Sequence, residues 1–385
     1  MELFFNKNMK SIYIHTPFCA KVCHYCDFSV LSAPERLYEE YLSLLKTEME
    51  IMLKRYPEFA RHTETIYWGG GTPSILNTQQ QNKVFEILEQ QGISFSSLLE
   101  FSMELNPESC FEDRIENAIQ HGVNRFSLGI QTFHDDLLKR IGRSHNVETA
   151  KKALKTLLSF NSHSISISGD LMFNLPSQTI EAFLSDVRFL SEQNVDHISF
   201  YGLNIAPMTV LGKRIERGSD FVDESAYEPM YLGGVELLSK AGFDRYEVSN
   251  FAKPEKQSLH NKNYWNGGSY LGFGPGAHSF VGSVRFFAPE KYAPWRQWIL
   301  EGCPESSLNQ DPIGKEERLI EKIWLSLRTS QGLNLKELEL ESIQIPQEAI
   351  QHWENQKMLV RVGDHVHLHG RGWVYMDSII QDFLR

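Results

Sequence analysis

The side chains with the most distinctive chemistry are three cysteines, Cys19, Cys23 and Cys26, set at C-x3-C-x2-C within the stretch Ser11 to Phe28. Thiolates gathered this densely in one loop are ligands for an iron–sulfur cluster. A cubane of four irons held by three thiolates keeps one iron without a protein ligand. An open position of that kind lets a metal centre bind a small molecule instead of only bracing a fold. A structural zinc loop is the plainer alternative. It needs a fourth Cys or His at a zinc-like spacing. None stands nearby, and His24 lies too close to its neighbours to complete a tetrahedron easily. The other two cysteines, Cys110 and Cys303, are isolated. An odd, low count of this kind is not a disulfide framework, and it suits a reducing, cytoplasmic compartment.

Further polar residues recur downstream: the run Gly69-Gly-Gly-Thr-Pro73, then Glu104, Gln131 and Asp170. Each stands at or near the end of a short apolar run. The pattern predicts strands over 12–14, 65–68, 99–105, 124–130, 166–173 and 197–203. Helices are predicted over 34–56, 78–90, 112–121, from about 135, and over 147–160, 179–193 and 224–241. In the first helix Leu37, Tyr41, Leu45, Met49 and Met52 share one face, which is core packing. Six strand–helix units with short connections read as a parallel α/β fold, a partial (β/α)6 barrel. Polar residues at strand C-termini then lie on its catalytic face. Taken singly, Asp170 could be a satisfied buried carboxylate, Arg143 a surface arginine, and the glycine run a tight turn. Their repetition at successive strand ends favours a ligand site.

The 385 residues suggest a large domain with a smaller one, and 41% hydrophobic residues allow a sizeable core. A formal charge of −11 argues against a nucleic-acid-binding role. No apolar run is long enough for a transmembrane helix. Met1 to Lys10 lack the apolar region of a signal peptide, and Cys19 comes so early that no extension is expected ahead of the barrel.

With Tyr25 before its last cysteine, the loop resembles the signature of radical S-adenosylmethionine (SAM) enzymes. That resemblance implies a 4Fe–4S cluster on Cys19, Cys23 and Cys26. The amino and carboxylate groups of SAM would chelate the fourth iron, and the reduced cluster would cleave SAM to methionine and a deoxyadenosyl radical. Longer strings narrow the match: Ile12-Tyr-Ile-His-Thr-Pro-Phe-Cys19, Val123-Asn-Arg-Phe-Ser-Leu-Gly-Ile-Gln-Thr-Phe133 and Tyr246-Glu-Val-Ser-Asn-Phe251. These resemble the branch that holds oxygen-independent coproporphyrinogen III oxidase and the HemW heme chaperones, from about residue 11 to 280 and more weakly beyond. The branch implies SAM contacts from Tyr13, Tyr25, Gly70, Gly71, Thr72, Glu104, Gln131, Arg143, Asp170 and Gly202.

Three features separate the two relatives. The oxidase pattern adds a fourth cysteine where this chain has Phe28. The oxidase also carries a long N-terminal extension. The string His260-Asn-Lys-Asn-Tyr-Trp265 matches the chaperones' H-N-x-x-Y-W motif, implicated there in heme binding. Heme needs an apolar slot and usually an axial ligand. His260 has Tyr264, Trp265, Tyr270 and Phe273 around it, and His278 follows in a glycine-rich stretch. Polar side chains near turns more often bond locally, so the motif alone also fits a loop whose His and Asn satisfy backbone groups. The resemblance favours heme and leaves open whether His260 ligates iron or orients a neighbour. Two departures stand out: the family's Gly-Leu-Pro-Gly-Gln appears as Asn174-Leu-Pro-Ser-Gln178, and Phe286 and Phe287 stand where an asparagine is expected after Arg285.

The expected organisation is a barrel over 1–242, a barrel-capping segment over 243–308, and an α+β winged-helix-like domain over 309–385. The last opens on a polar connector at 309–314. It continues with helices near 319–327, 335–340 and 346–355, then a hairpin turning at Gly363-Asp364. His365, His367 and His369 alternate on a strand there, best explained as a solvent-facing face. The resemblance implies a heme chaperone carrying a 4Fe–4S cluster, SAM and heme, with heme-accepting apoproteins and an electron donor as partners. The alternative is a radical SAM enzyme decarboxylating coproporphyrinogen III or another tetrapyrrole. A third reading is an interaction module that kept a cluster for stability. Family analogy alone extends to dimerisation and membrane-surface association.

Overall fold

The computed structural model describes residues 9–161, 164–341 and 344–385. The segment 1–8, on which most of the signal-peptide expectation rests, lies outside them. Six parallel strands form the centre: β1 (Lys10–Thr16), β2 (Thr63–Gly70), β3 (Glu100–Leu105), β4 (Arg125–Gln131), β5 (Ser166–Phe173) and β6 (His197–Gly202). The helices that return the chain are α1 (Arg36–Arg55), α2 (Thr78–Gln90), α3 (Glu112–Gln120), α4 (Val147–Leu158), α5 (Ile180–Ser191) and α6 (Tyr227–Lys240). This is the (β/α)6 arrangement that the sequence predicts. A short helix, Val210–Glu216, occupies what reads in sequence as a plain loop.

Strand alternation sorts the side chains. Ile12, Ile14, Ile66, Trp68, Phe101, Met103, Phe126, Leu128, Ile167, Leu171, Ile198 and Phe200 are fully buried in the main core. The intervening residues are polar and bond to one another across the strands: Ser11 with Thr65, Tyr67 with Glu104, Ser127 with Asp170, Ser168 with His197. The concave side of the sheet is therefore a polar lumen. That is the setting for a polar ligand, and it differs from barrels filled with branched apolar residues.

The segment after α6 extends this sheet at both edges. β7 (Asp244–Arg245) and β8 (Asn250–Ala252) add antiparallel strands beyond β6. β9 (Ser269–Phe273) pairs parallel with β1, and β10 (His278–Val281), β11 (Val284–Phe287) and β12 (Asn309–Pro312) follow antiparallel. The stretch read as a polar connector thus begins as an edge strand. β12 is wholly exposed, and its Asp and Pro suit an edge that must not recruit further strands. Between β8 and β9, helix α7 (Leu259–Trp265) packs against the N-terminal ends of β1 to β3.

The C-terminal residues form the winged-helix-like unit: helices Lys315–Leu327, Leu335–Leu340 and Gln347–Asn355, a small sheet, and a closing helix Met376–Phe383. The sheet comprises β13 (Leu333–Asn334), β14 (Leu359–Val362) and β15 (His365–Leu368), in the order β13-β15-β14. Gly363 turns the hairpin with φ +61°, as the Gly-Asp pair predicts. The unit is tied to the barrel by Arg318 donating to the Gly267 carbonyl at 2.8 Å and by Tyr375 donating to Glu228 at 3.3 Å. Among the described residues no helix is long and apolar enough to cross a membrane.

Candidate functional site

The cysteine loop leaves β1 and stands over the C-terminal ends of the strands. Cys19, Cys23 and Cys26 are half-buried free thiols. Thr72 donates to Cys19 Sγ at 3.6 Å and Arg143 to Cys23 Sγ at 3.5 Å. Burial pushes the Cys19 thiol up to about 12 and the Cys26 thiol to about 11. Such thiols ionise once a metal's charge is beside them. Two of the three sulfurs thus carry a hydrogen-bond donor, a feature that tunes cluster thiolates.

Beside the loop lies Gly69-Gly-Gly-Thr72 at the end of β2. A Cβ on Gly71 would stand 2.6 Å from the Phe18 carbonyl oxygen and 3.0 Å from Cys19 Sγ. Glycine here lets the two loops touch. Glu104 accepts from Tyr67 at 2.7 Å and from the Gly70 N–H at 3.1 Å. Burial raises its carboxyl to about 7, helped by Asp170 and opposed by those two donors. Burial also raises Asp170, against hydrogen bonds from Ser127, Ser199 and Ser168. Two carboxyls raised in one lumen form a site that gains from a cationic ligand.

Gln131 ends β4 with φ +70° at a register break after Gly129. The bulge re-aims the strand end at a cost in backbone strain. Arg143 donates to Asn106 Oδ1 at 2.7 Å and to the Gly129 carbonyl at 2.8 Å. Its buried Nε has no partner among the described residues, and a ligand carboxylate would satisfy it. Tyr25 packs with Leu137, Ile141, Met172, Leu175 and Leu203. Tyr13 and Gly70 line the central cleft, and Gly202 closes β6.

That cleft has a volume of about 970 Å³, at the upper end for small-molecule sites. It runs from Tyr13, Gly70 and Glu104 past Asp27 and Phe28 to Tyr264, Tyr270, His278, Phe280 and Arg285, and ends at Glu321 and Leu325 of the C-terminal unit. Phe28 is 67% exposed on its wall.

Scanning against family models matches the Radical SAM superfamily over residues 13–190. The heme chaperone HemW of Lactococcus lactis subsp. lactis is 30% identical over 380 residues, covering 97% of each chain. The HemW of Bacillus subtilis is 34% identical over 332 residues, covering 85% of this chain and 86% of its own. The chain belongs to the HemW family of radical SAM proteins. The solved coproporphyrinogen III oxidase HemN of Escherichia coli superposes with a TM-score of 0.83, at 20% identity, over 99% of this chain and 91% of its own. That likeness shows the fold. Radical SAM membership carries with it a 4Fe–4S cluster and SAM.

Against this HemW background the expected site residues fall in two groups. Thr72 and Arg143 reach cysteine sulfurs and Gly71 abuts Cys19, Glu104 bonds the Gly70 N–H, Tyr13 lines the cleft, and Gln131 and Asp170 stand on β4 and β5. For His260 the sequence leaves open an iron ligand or a residue that orients a neighbour, and its surroundings match the second. It is 0% exposed. Its Nδ1 bonds Thr65 Oγ1 at 2.9 Å and its Nε2 bonds the Tyr264 hydroxyl at 2.8 Å. With both nitrogens engaged it stands behind Tyr264, which forms the wall. Residues that sequence reasoning passed over include Asn106, which joins Arg143 to Thr72 by donating to Thr72 at 2.7 Å. Another is Tyr67, which orients Glu104. Asn106 sits in the Glu104-Leu-Asn-Pro107 string that ends β3, a signal that was available. Glu100 and Arg125 were hidden, because charged residues at strand starts read as solvent-facing.

Proposed function

We propose that the protein is a heme chaperone that carries a 4Fe–4S cluster on Cys19, Cys23 and Cys26, binds SAM, and hands heme to acceptor proteins. The observation that carries this reading is the cleft joining Tyr13, Gly70 and Glu104 of the SAM side to a chamber walled by Phe28, Tyr264, Tyr270 and Phe280. Arg285 at its far end, ion-paired with Glu321, offers a cation for propionates, which would have to compete with that carboxylate. Curated relatives at 30% and 34% identity bear the name heme chaperone.

In this reading Arg143 takes the SAM carboxylate on its unpartnered Nε. The Gly69–Gly71 backbone lets the amino group approach, and Glu104 and Asp170 lie near the cationic body of the ligand. Tyr13, Tyr25, Thr72, Gln131 and Gly202 complete the cradle. Cluster and SAM together supply one-electron chemistry, with an electron donor as partner. The alternative, tetrapyrrole decarboxylation, is weakened by Phe28 standing where the oxidase pattern has a cysteine.

The test is anaerobic reconstitution followed by heme titration and a coproporphyrinogen III decarboxylation assay. Stoichiometric heme binding and transfer to an apoprotein, without decarboxylation, is expected. Decarboxylation would overturn the chaperone reading, as would failure to bind heme.

A further inference from the structure

The H-N-x-x-Y-W segment contains a hydrogen-bond relay whose direction follows from its donors and acceptors. The Asn263 amide donates to Ser11 Oγ at 2.8 Å and to the Ser269 carbonyl at 3.1 Å. Ser11, fully buried, lies 2.7 Å from Thr65 Oγ1. Having accepted from Asn263, Ser11 satisfies its own hydrogen by donating to Thr65. Thr65 in turn donates to His260 Nδ1 at 2.9 Å. A neutral imidazole carries one N–H, so it sits on Nε2 and donates to the Tyr264 hydroxyl oxygen at 2.8 Å. The reverse direction would strand a buried Ser11 hydrogen, at a cost of about 1–3 kcal/mol. Burial keeps the imidazole neutral, lowering His260 to about 4 against the pull of Glu100.

The Tyr264 oxygen therefore accepts a hydrogen bond from His260 on the barrel side, which leaves its own hydrogen to be donated elsewhere, and Tyr264 lines the cleft. An oxygen with a fixed donor behind it and its own proton left to give is arranged to become a phenolate against a Lewis acid. Tyrosinate is a known axial ligand of heme iron, and metal ligands are held by an outer partner of this kind. We propose that Tyr264 is the axial ligand of ferric heme in the cleft, with His260 as the positioning residue that donates to its phenolate oxygen. On binding, the Tyr264 O–H bond breaks and an Fe–O bond forms. The proton leaves with the water or hydroxide displaced from the iron, and the iron stays ferric. Burial pushes the free phenol well up, so the phenolate forms only beside the metal's charge.

His278 also lines the cleft. Its ring packs on Phe287 at 4.8 Å, with no group orienting its nitrogens among the described residues. Tyr264 has the built relay and is the assignment made here. The inference rests on the heme reading above and adds the identity of the iron ligand.

The test titrates the reconstituted full chain with ferric heme and, separately, with iron-free protoporphyrin IX, read by absorption and electron paramagnetic resonance. The wild type is expected to show a tyrosinate-ligated high-spin ferric spectrum. Tyr264→Phe should abolish it and weaken ferric heme about tenfold or more, leaving protoporphyrin within about twofold. His260→Ala should shift the spectrum and weaken ferric heme on the order of tenfold, and His260→Gln, which keeps an N–H donor, should recover part of both. His278→Ala should leave the spectrum intact. An unchanged ferric spectrum in Tyr264→Phe, or its loss in His278→Ala, overturns the ligand assignment alone. Failure of the wild type to bind either porphyrin overturns the heme reading and this inference with it.

Discussion

Glu100→Gln is expected to loosen the base on which Tyr264 stands. Glu100 and Arg125 form an ion pair at 3.1 Å with side chains only 5% and 7% exposed. The same carboxylate accepts from the Leu259 N–H at 2.7 Å, the His260 N–H at 3.2 Å and Ser258 Oγ at 2.8 Å. It therefore anchors the start of α7. The amide keeps the shape and removes the charge. Arg125 would then be a buried cation with its Nη2 on the Lys256 carbonyl and its Nη1 without a partner among the described residues. Breaking a buried pair by neutralising one member costs about 3–5 kcal/mol. For a chain of 385 residues that lowers Tm by on the order of 4–6 °C. The double variant Glu100→Gln with Arg125→Met should regain part of the loss, because the stranded cation is gone. The pH dependence has a definite sign. Burial pushes the Glu100 carboxyl up, but Arg125 and the α7 donors outweigh it and hold it below the usual range. Its stabilisation is thus full above the unfolded carboxylate value and is lost as pH falls through the folded one. The gap between wild type and variant, measured by urea unfolding, should be widest near neutrality and narrow in acid. A Glu100→Gln protein within about 1 kcal/mol of wild type at pH 7 would refute the anchoring argument.

Cys19→Ser, Cys23→Ser and Cys26→Ser should each lose the iron–sulfur absorption after reconstitution; an intact cluster in all three would remove the basis of the site. Gly71→Ala should impair cluster loading, measured as iron per chain, because the new methyl meets the Phe18 carbonyl at 2.6 Å. Glu104 has a folded value raised to about 7 by burial, so its contribution to stability is full below the unfolded value and lost as pH rises through about 7. In SAM-free protein, Glu104→Gln should flatten the fall in urea stability between pH 6 and pH 8; an unchanged slope would show that Glu104 does not titrate there. Ser177 has φ +65° at the position where the family pattern has glycine. Ser177→Gly should raise stability by up to about 1 kcal/mol, read as a higher urea midpoint.

The central barrel was legible because each of its strands is a continuous run whose alternation separates apolar from polar faces. Glu104 and Asp170 declared themselves by interrupting such runs near their ends. The sheet extensions were much less legible. β7 is two residues and β8 three, too short for any periodicity, and β9 finds its partner in β1 at the other end of the chain. β12 is composed of Asn, Gln, Asp and Pro, residues with poor strand propensity that is overridden by pairing with β11. The choice between the two roles left open for His260 was illegible for a related reason: its burial against Thr65 depends on a contact 195 residues away in the chain. The direction of the relay from Asn263 to Tyr264 is likewise a property of three-dimensional proximity, since two of its members, Ser11 and Thr65, lie far from the string in sequence.

The pairing of β9 with β1 sets an order of assembly. β1 carries the cysteine loop, yet one of its two neighbours, Ser269–Phe273, is synthesised about 260 residues later. A nascent chain that has completed all six barrel units still presents β1 as an open edge, with its thiols at the end of a half-paired strand. The loop reaches its final frame only when β9 docks, and the same event seats α7 against the lumen. Completion of the cleft wall, to which Tyr264 and Tyr270 belong, thereby waits on a segment made late in translation.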